Sequence, residues 1–248
     1  MINANLTVAY TSAFLLAFAS LASAHDLLFD RGLPDKNLNL EADEKRSNVV
    51  WGADDEDYFH LVGDYLVGDD FRLPGKHSYK VTTIRVWTVL PFDPDGTPPA
   101  DLELWGGPDD DPTLIKKIDI DFQATPAAYP NAEPVYEGYE GGLYNLFQVD
   151  FTVDLSIEGG ELYDFFLASK PKTSDPSPYL HASNKKRSGT KQERADDLIL
   201  FFDTDADKIF AYATSEPLGS SDPAWDKDSD VNVQVFGTSD KKKSKPNK

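Results

Sequence analysis

From Val49 onward the chain is written in short runs of alternating or β-branched residues, each closed by a cluster of Pro, Gly or Asp. Residues two apart share one face of a strand, so this pattern commits the chain to sheets with an apolar and a polar side. No segment sustains an apolar period of 3.6, and helix should be scarce. The expected strands span 79–90, 100–107, 113–122, 143–157, 162–169, 197–204, 208–215 and 230–238. Many short strands at this spacing predict an all-β chain, an antiparallel β-sandwich that is jelly-roll-like with long polar loops. Within TTIRVWTVL, Ile84, Val86 and Thr88 should face one side and Arg85, Trp87 and Val89 the other, and Val233 and Val235 should share a face. The polar loops are 93–99, 106–112, 125–134, 170–178 and the very hydrophilic 183–197, and no internal repeat is present.

Ahead of this pattern the chain reads as an address. Between Leu6 and Ala22 the residues are almost all apolar or small, and the stretch ends on Ala22-Ser23-Ala24, just before the charged HDLLFDR. Residues 1–24 are therefore expected to be a secretory signal peptide, cleaved before His25. The longest apolar run, AFLLAFASLA, falls short of the roughly 20 residues that span a bilayer. The expectation is a secreted, extracellular protein with no membrane association after cleavage. Residues 25–238 then form a single domain, and 239–248 a disordered basic tail.

The chain contains no cysteine, which excludes disulfides, Cys-zinc sites and thiol nucleophiles. An exported domain of this kind must be held by burial, helped by bound ions. The formal net charge is −19, and the five lysines of the last eight residues leave −24 on the remainder. So acidic a surface repels nucleic acid and anionic lipid, and the expected partners are neutral, cationic or metal ions.

Three stretches carry a resemblance. LLFDRGLP reads as an opening strand with an aromatic-Asp-x-Gly element, GDDFRLPGKHSYKVTTIRVWTVL as a "DDF" strand followed by a strand rich in Ile, Val and Trp, and DVNVQVFG as a closing strand. Together they resemble a loose group of secreted bacterial and fungal β-sandwich proteins with no settled common activity. The resemblance implies a jelly-roll-like sandwich whose last strand returns beside the first. It carries no catalytic residues.

Four constellations could carry chemistry. Asp203, Asp205 and Asp207, and Asp226, Asp228 and Asp230, both follow D-x-D-x-D, a spacing that can aim three carboxylates at a calcium ion. Neither continues as a full EF-hand, and acidic turns also arise simply to be solvated. Trp105 and Trp225 at strand-loop borders, with Tyr136 and Tyr139 in a Tyr-rich stretch that also holds Tyr129 and Tyr144, are candidates for stacking sugar rings. The competing reading places such aromatics in the core. A terminal His25 with His60, His77 or His181 could chelate copper, unless cleavage at Lys45-Arg46 discards it. Carboxylates at strand ends, among them Glu103, Glu137, Glu140, Glu158 and Glu161, are too many to single out a hydrolytic pair, and no G-x-S-x-G occurs. The sequence thus points to a non-catalytic binding protein for a glycan or extracellular surface, assisted by calcium. Its alternative is a polysaccharide-active enzyme, copper-dependent or hydrolytic.

Overall fold

The computed structural model describes residues 25–34, 49–50, 65–91, 102–109, 111–129, 135–137, 143–169, 179–183, 198–203, 207–213 and 230–240. The expected signal peptide, Trp51, His60, Tyr139, Asp205, Trp225, Asp226, Asp228 and the last eight residues lie outside them. The strands are β1 (Asp26–Asp30), β2 (Val49–Val50), β3 (Tyr65–Arg72), β4 (Ser78–Pro91), β5 (Leu102–Pro108), β6 (Lys116–Lys117), β7 (Asp119–Pro126), β8 (Val135–Glu137), β9 (Leu143–Glu158), β10 (Leu162–Ser169), β11 (Tyr179–Ser183), β12 (Leu198–Asp203), β13 (Lys208–Ala213), β14 (Asp230–Val231) and β15 (Val233–Ser239). The only helical element among the described residues is a 3-10 turn at Pro112–Leu114.

All the described pairings are antiparallel, in a nine-stranded and a six-stranded sheet, which makes the molecule an all-β sandwich. In the larger sheet β1, β15, β4 and β9 lie side by side, and β7 and β8 follow one another along the far edge of β9. Past β15, β11 continues along β4 and carries β2 and β14. The last strand does return beside the first, with Phe29 opposite Val235. The smaller sheet runs β13-β12-β3-β10-β5-β6. It curls, and the 3-10 turn beside β6 at one edge approaches β13 at the other.

Between the sheets Ile84, Val86, Val149, Phe151, Val233 and Val235 from one side meet Val67, Phe71, Leu104, Phe165 and Leu167 from the other. The expected facing of Ile84 with Val86, and of Val233 with Val235, is present. A second cluster lies on the concave side of the curled sheet, where Leu66, Phe166, Leu200 and Phe202 are joined by Ile115, Trp105 and Ile209. Both faces of this sheet are therefore apolar. Trp87, on the opposite face of β4 from Val86, is also fully buried, because Leu33, Ala127 and Tyr129 pack over it with Val89 and Leu146.

Two expected strands are interrupted. The run 113–122 is not one strand: Asp111 caps the 3-10 turn, β6 pairs with Trp105 and Gly106 in the smaller sheet, and β7 belongs to the larger one. The crossover is fixed at Ile118 and Asp119. Ile118 donates its N–H to Leu104 O at 2.8 Å, and the Asp119 carboxylate accepts from Leu104 N at 2.8 Å, a side chain standing in for the next ladder bond. The run 230–238 breaks at Asn232, whose backbone N–H turns to His181 O at 2.9 Å. The final strand reaches Ser239, one residue into the expected tail.

Candidate functional site

The fold brings together the three stretches that carry the resemblance. Arg31 leaves the end of β1 and enters a buried seam, with Nη1 at 2.8 Å from Asp69, Nε at 3.2 Å from Asp230 and Nη2 at 3.5 Å from Asp70. Asp69 also accepts from Val231 N at 2.7 Å. Asn232 donates to Gly32 O at 3.2 Å and sits 2.8 Å from Nδ1 of His181, while Gln234 donates to Asp30 at 3.1 Å. Burial alone disfavours the charged guanidinium, but Asp69, Asp230 and Asp70 more than offset it and raise the pKa of Arg31. Burial also raises Asp69 above the ordinary carboxylate range, against the attraction of Arg31, with Asp230 and Asp70 adding to the rise. His181 is pushed down to about 4 by burial, against its bond to Asn232, so it is neutral at pH 7. This seam ties β1, β3, β11, β14 and β15 together.

A second polar constellation lies on the outer face of the nine-stranded sheet and is open to solvent. There Arg85 of β4 grips Asp150 of β9 with two bonds, Nε to Oδ1 at 2.6 Å and Nη2 to Oδ2 at 2.8 Å. The bond to Asp150 raises the pKa of Arg85, against partial burial, so the guanidinium stays charged. The Phe236 ring lies 5.0 Å beneath it. Beside the pair sits Gln148. The Arg85 nitrogens can only donate, so the amide oxygen belongs toward them, at 3.2 and 3.3 Å, which turns the amide nitrogen toward the Tyr129 hydroxyl at 3.3 Å. That hydroxyl also accepts from buried Trp87 Nε1 at 2.7 Å. Its own proton is then free to point outward.

Thr125, Pro126, Ala127, Ala128, Tyr129 and Gln148 line a hollow of about 210 Å³ at this place. Its wall forms where β7 ends at Pro126 and residues 127–129 leave the edge of β9 to pack over Trp87. Ala127 N donates to Leu146 O at 2.9 Å and starts that excursion. Exposed Gln123 on β7 and Thr152 on β9 extend the polar face away from the hollow.

The residues singled out in the sequence fall elsewhere. Trp105 is half-buried; its ring packs in the concave cluster and its Nε1 donates to Glu103 at 3.2 Å. Tyr136 opposes Tyr144 at the hollow's end of the sheet. Asp203 ends β12 opposite Lys208, and Asp207 is exposed in the turn with φ of 45°, a conformation Asp tolerates. Asp230 is buried against Arg31 rather than displayed in a loop. His25 is exposed and His181 buried. Among the described residues no three His, Asp or Glu side chains are grouped to hold a metal ion.

Sequence reasoning named Tyr129 only as part of a Tyr-rich stretch and missed Arg85, Gln148 and Asp150. Their signal was cross-strand: Arg85 in one long strand, and Gln148 and Asp150 in another, on the face opposite the valines. Only the β4–β9 register, Arg85 against Asp150 and Trp87 against Gln148, makes them neighbours. Comparison with protein families, curated proteins and solved structures finds no match for this chain.

Proposed function

We propose that the chain is an exported binding protein that takes a glycan on the outer face of its nine-stranded sheet, at the hollow beside Tyr129. The observation that carries the reading is the fixed, self-neutral row Tyr129–Gln148–Asp150–Arg85 bordering an open hollow of about 210 Å³. A charge-neutral ion pair flanked by an amide and a phenol offers coplanar donors and acceptors, which suits vicinal hydroxyls better than a charged ligand. The apolar wall of Pro126, Ala127 and the Tyr129 ring suits the C–H face of a sugar. The hollow's volume is below the range for drug-sized ligands and matches contact with a single ring of a longer chain.

The test is a glycan array probed with purified protein, with and without calcium, alongside Tyr129→Phe and Gln148→Ala. Tyr129→Phe keeps the ring over Trp87 and removes only the hydroxyl. Loss of a hydrogen bond to a ligand group should weaken binding about tenfold in each variant. An array with no hit, or a hit indifferent to both substitutions, defeats the proposal. Calcium dependence of a hit would extend it to the Asp-rich turns.

A further inference from the structure

Asp164, in the middle of the chemistry-poor run LYDFFLAS, is fully buried, and neither carboxylate oxygen has a hydrogen-bond partner. Neighbouring Phe165 and Leu167 point between the sheets, which leaves Asp164 on the concave side with Phe166. In the ladder it stands directly opposite Asp70 of β3 on one flank and Gly107 of β5 on the other. Directly opposed side chains of an antiparallel pair have Cβ atoms about 5 Å apart, and like charges there repel. Asp109, whose N–H donates to Leu162 O at 3.4 Å, adds a third carboxyl from the turn after β5.

We infer that Asp164 and Asp70 form a proton-held latch: a neutral Asp164 keeps β3, β10 and β5 together at this end of the curled sheet, and loss of its proton loosens them. An ionised carboxylate buried without a partner costs several kcal/mol, and a neutral acid costs far less. The charged groups facing this position are Asp70 and, farther along the same face of β3, Arg72; Asp109 from the turn; and Tyr163 beside it on β10. Arg31 reaches Asp70 at 3.5 Å but divides its charge among Asp69, Asp70 and Asp230. Burial, then Asp109 and Asp70, push the Asp164 carboxyl up to about 8, and burial with Asp164 pushes the Tyr163 phenol up to about 12. The latch is independent of the glycan reading, because it lies on the other sheet.

Amide hydrogen exchange between pH 6 and 9.5, corrected for base catalysis, tests the inference on the whole protein. Segments 65–72, 102–109 and 162–169 should show an extra acceleration as pH rises from 6 to about 8, approaching tenfold per pH unit for one proton lost on opening, and level above it, while β4 and β9 show none. Asp164→Asn should abolish the extra acceleration, and Asp70→Asn should make it level off at lower pH, because the Asp70 charge helps to hold the proton on Asp164. An acceleration spread evenly over both sheets, or one that survives in Asp164→Asn, overturns the latch. So does suppression by excess calcium, which would mark a cation site instead. Should Asp164→Asn fail to fold, the wild-type localisation and Asp70→Asn still decide the matter.

Discussion

At the residue scale the seam around Arg31 ties distant strands together as a disulfide would in a chain that has cysteines. One guanidinium faces three carboxylates from two other strands, and its removal would leave buried like charges with nothing between them. Arg31→Met should therefore lower stability by about 3–5 kcal/mol, read as a shift in the urea midpoint. Arg31→Lys should recover only part of this, since a point charge cannot span three acceptors set around a planar fork. A fully stable Arg31→Met would mean the carboxylates are neutral or relax to water. The stretches FDRG, DDF and DVN were legible in the sequence as separate motifs, but their meeting was not. Nothing in the local pattern says that Arg31 and Asp230, 199 positions apart, share a site. Asp164 left a fainter signal, a lone charge within an otherwise apolar strand.

At the element scale the strands were largely readable and their sheets were not. Period-two alternation marked β4 and β9, because each turns one face to the core and, along most of its length, the other toward solvent. The run FFLA in β10 lacks alternation for a physical reason: the curled sheet buries both of its faces, Phe165 and Leu167 against the partner sheet and Phe166 within its own curve. The break inside 113–122 was hidden because Lys116 and Lys117 look like strand residues whichever sheet they join. Curling also demands a close approach between β3 and β10. A Cβ on Gly68 would lie 1.8 Å from Phe165 O, which no backbone adjustment within a six-stranded sheet absorbs locally. Gly68→Ala should cost about 3 kcal/mol or more, with the loss seen in thermal unfolding and concentrated in the six-stranded sheet by hydrogen exchange. A variant as stable as wild type would show that the two strands can separate freely there.

At the scale of the whole molecule, two buried titrating groups, Asp164 and His181, work against each other with pH. Asp164 is raised from 3.8 to about 8 on folding, so the native state holds a proton that the unfolded chain has lost. Its contribution is complete below about 3.8 and declines as pH rises to about 8, by roughly 1.4 kcal/mol per pH unit at most. His181 is lowered from 6.5 to about 4, so the unfolded chain binds a proton that the native state refuses. Its contribution is present above 6.5 and is lost as pH falls toward 4. Between about 4 and 6.5 the two slopes are opposite and nearly cancel, and between 6.5 and 8 only the Asp164 slope remains. Stability relative to Asp164→Asn should thus fall steadily from pH 4 to 8 and then level. Stability relative to His181→Gln should rise from pH 4 to 6.5 and then level. Urea titrations of the three proteins across this range read both difference curves directly. A flat Asp164→Asn difference would mean the carboxyl finds water or a partner in the native state, and a flat His181→Gln difference would mean the same of the imidazole.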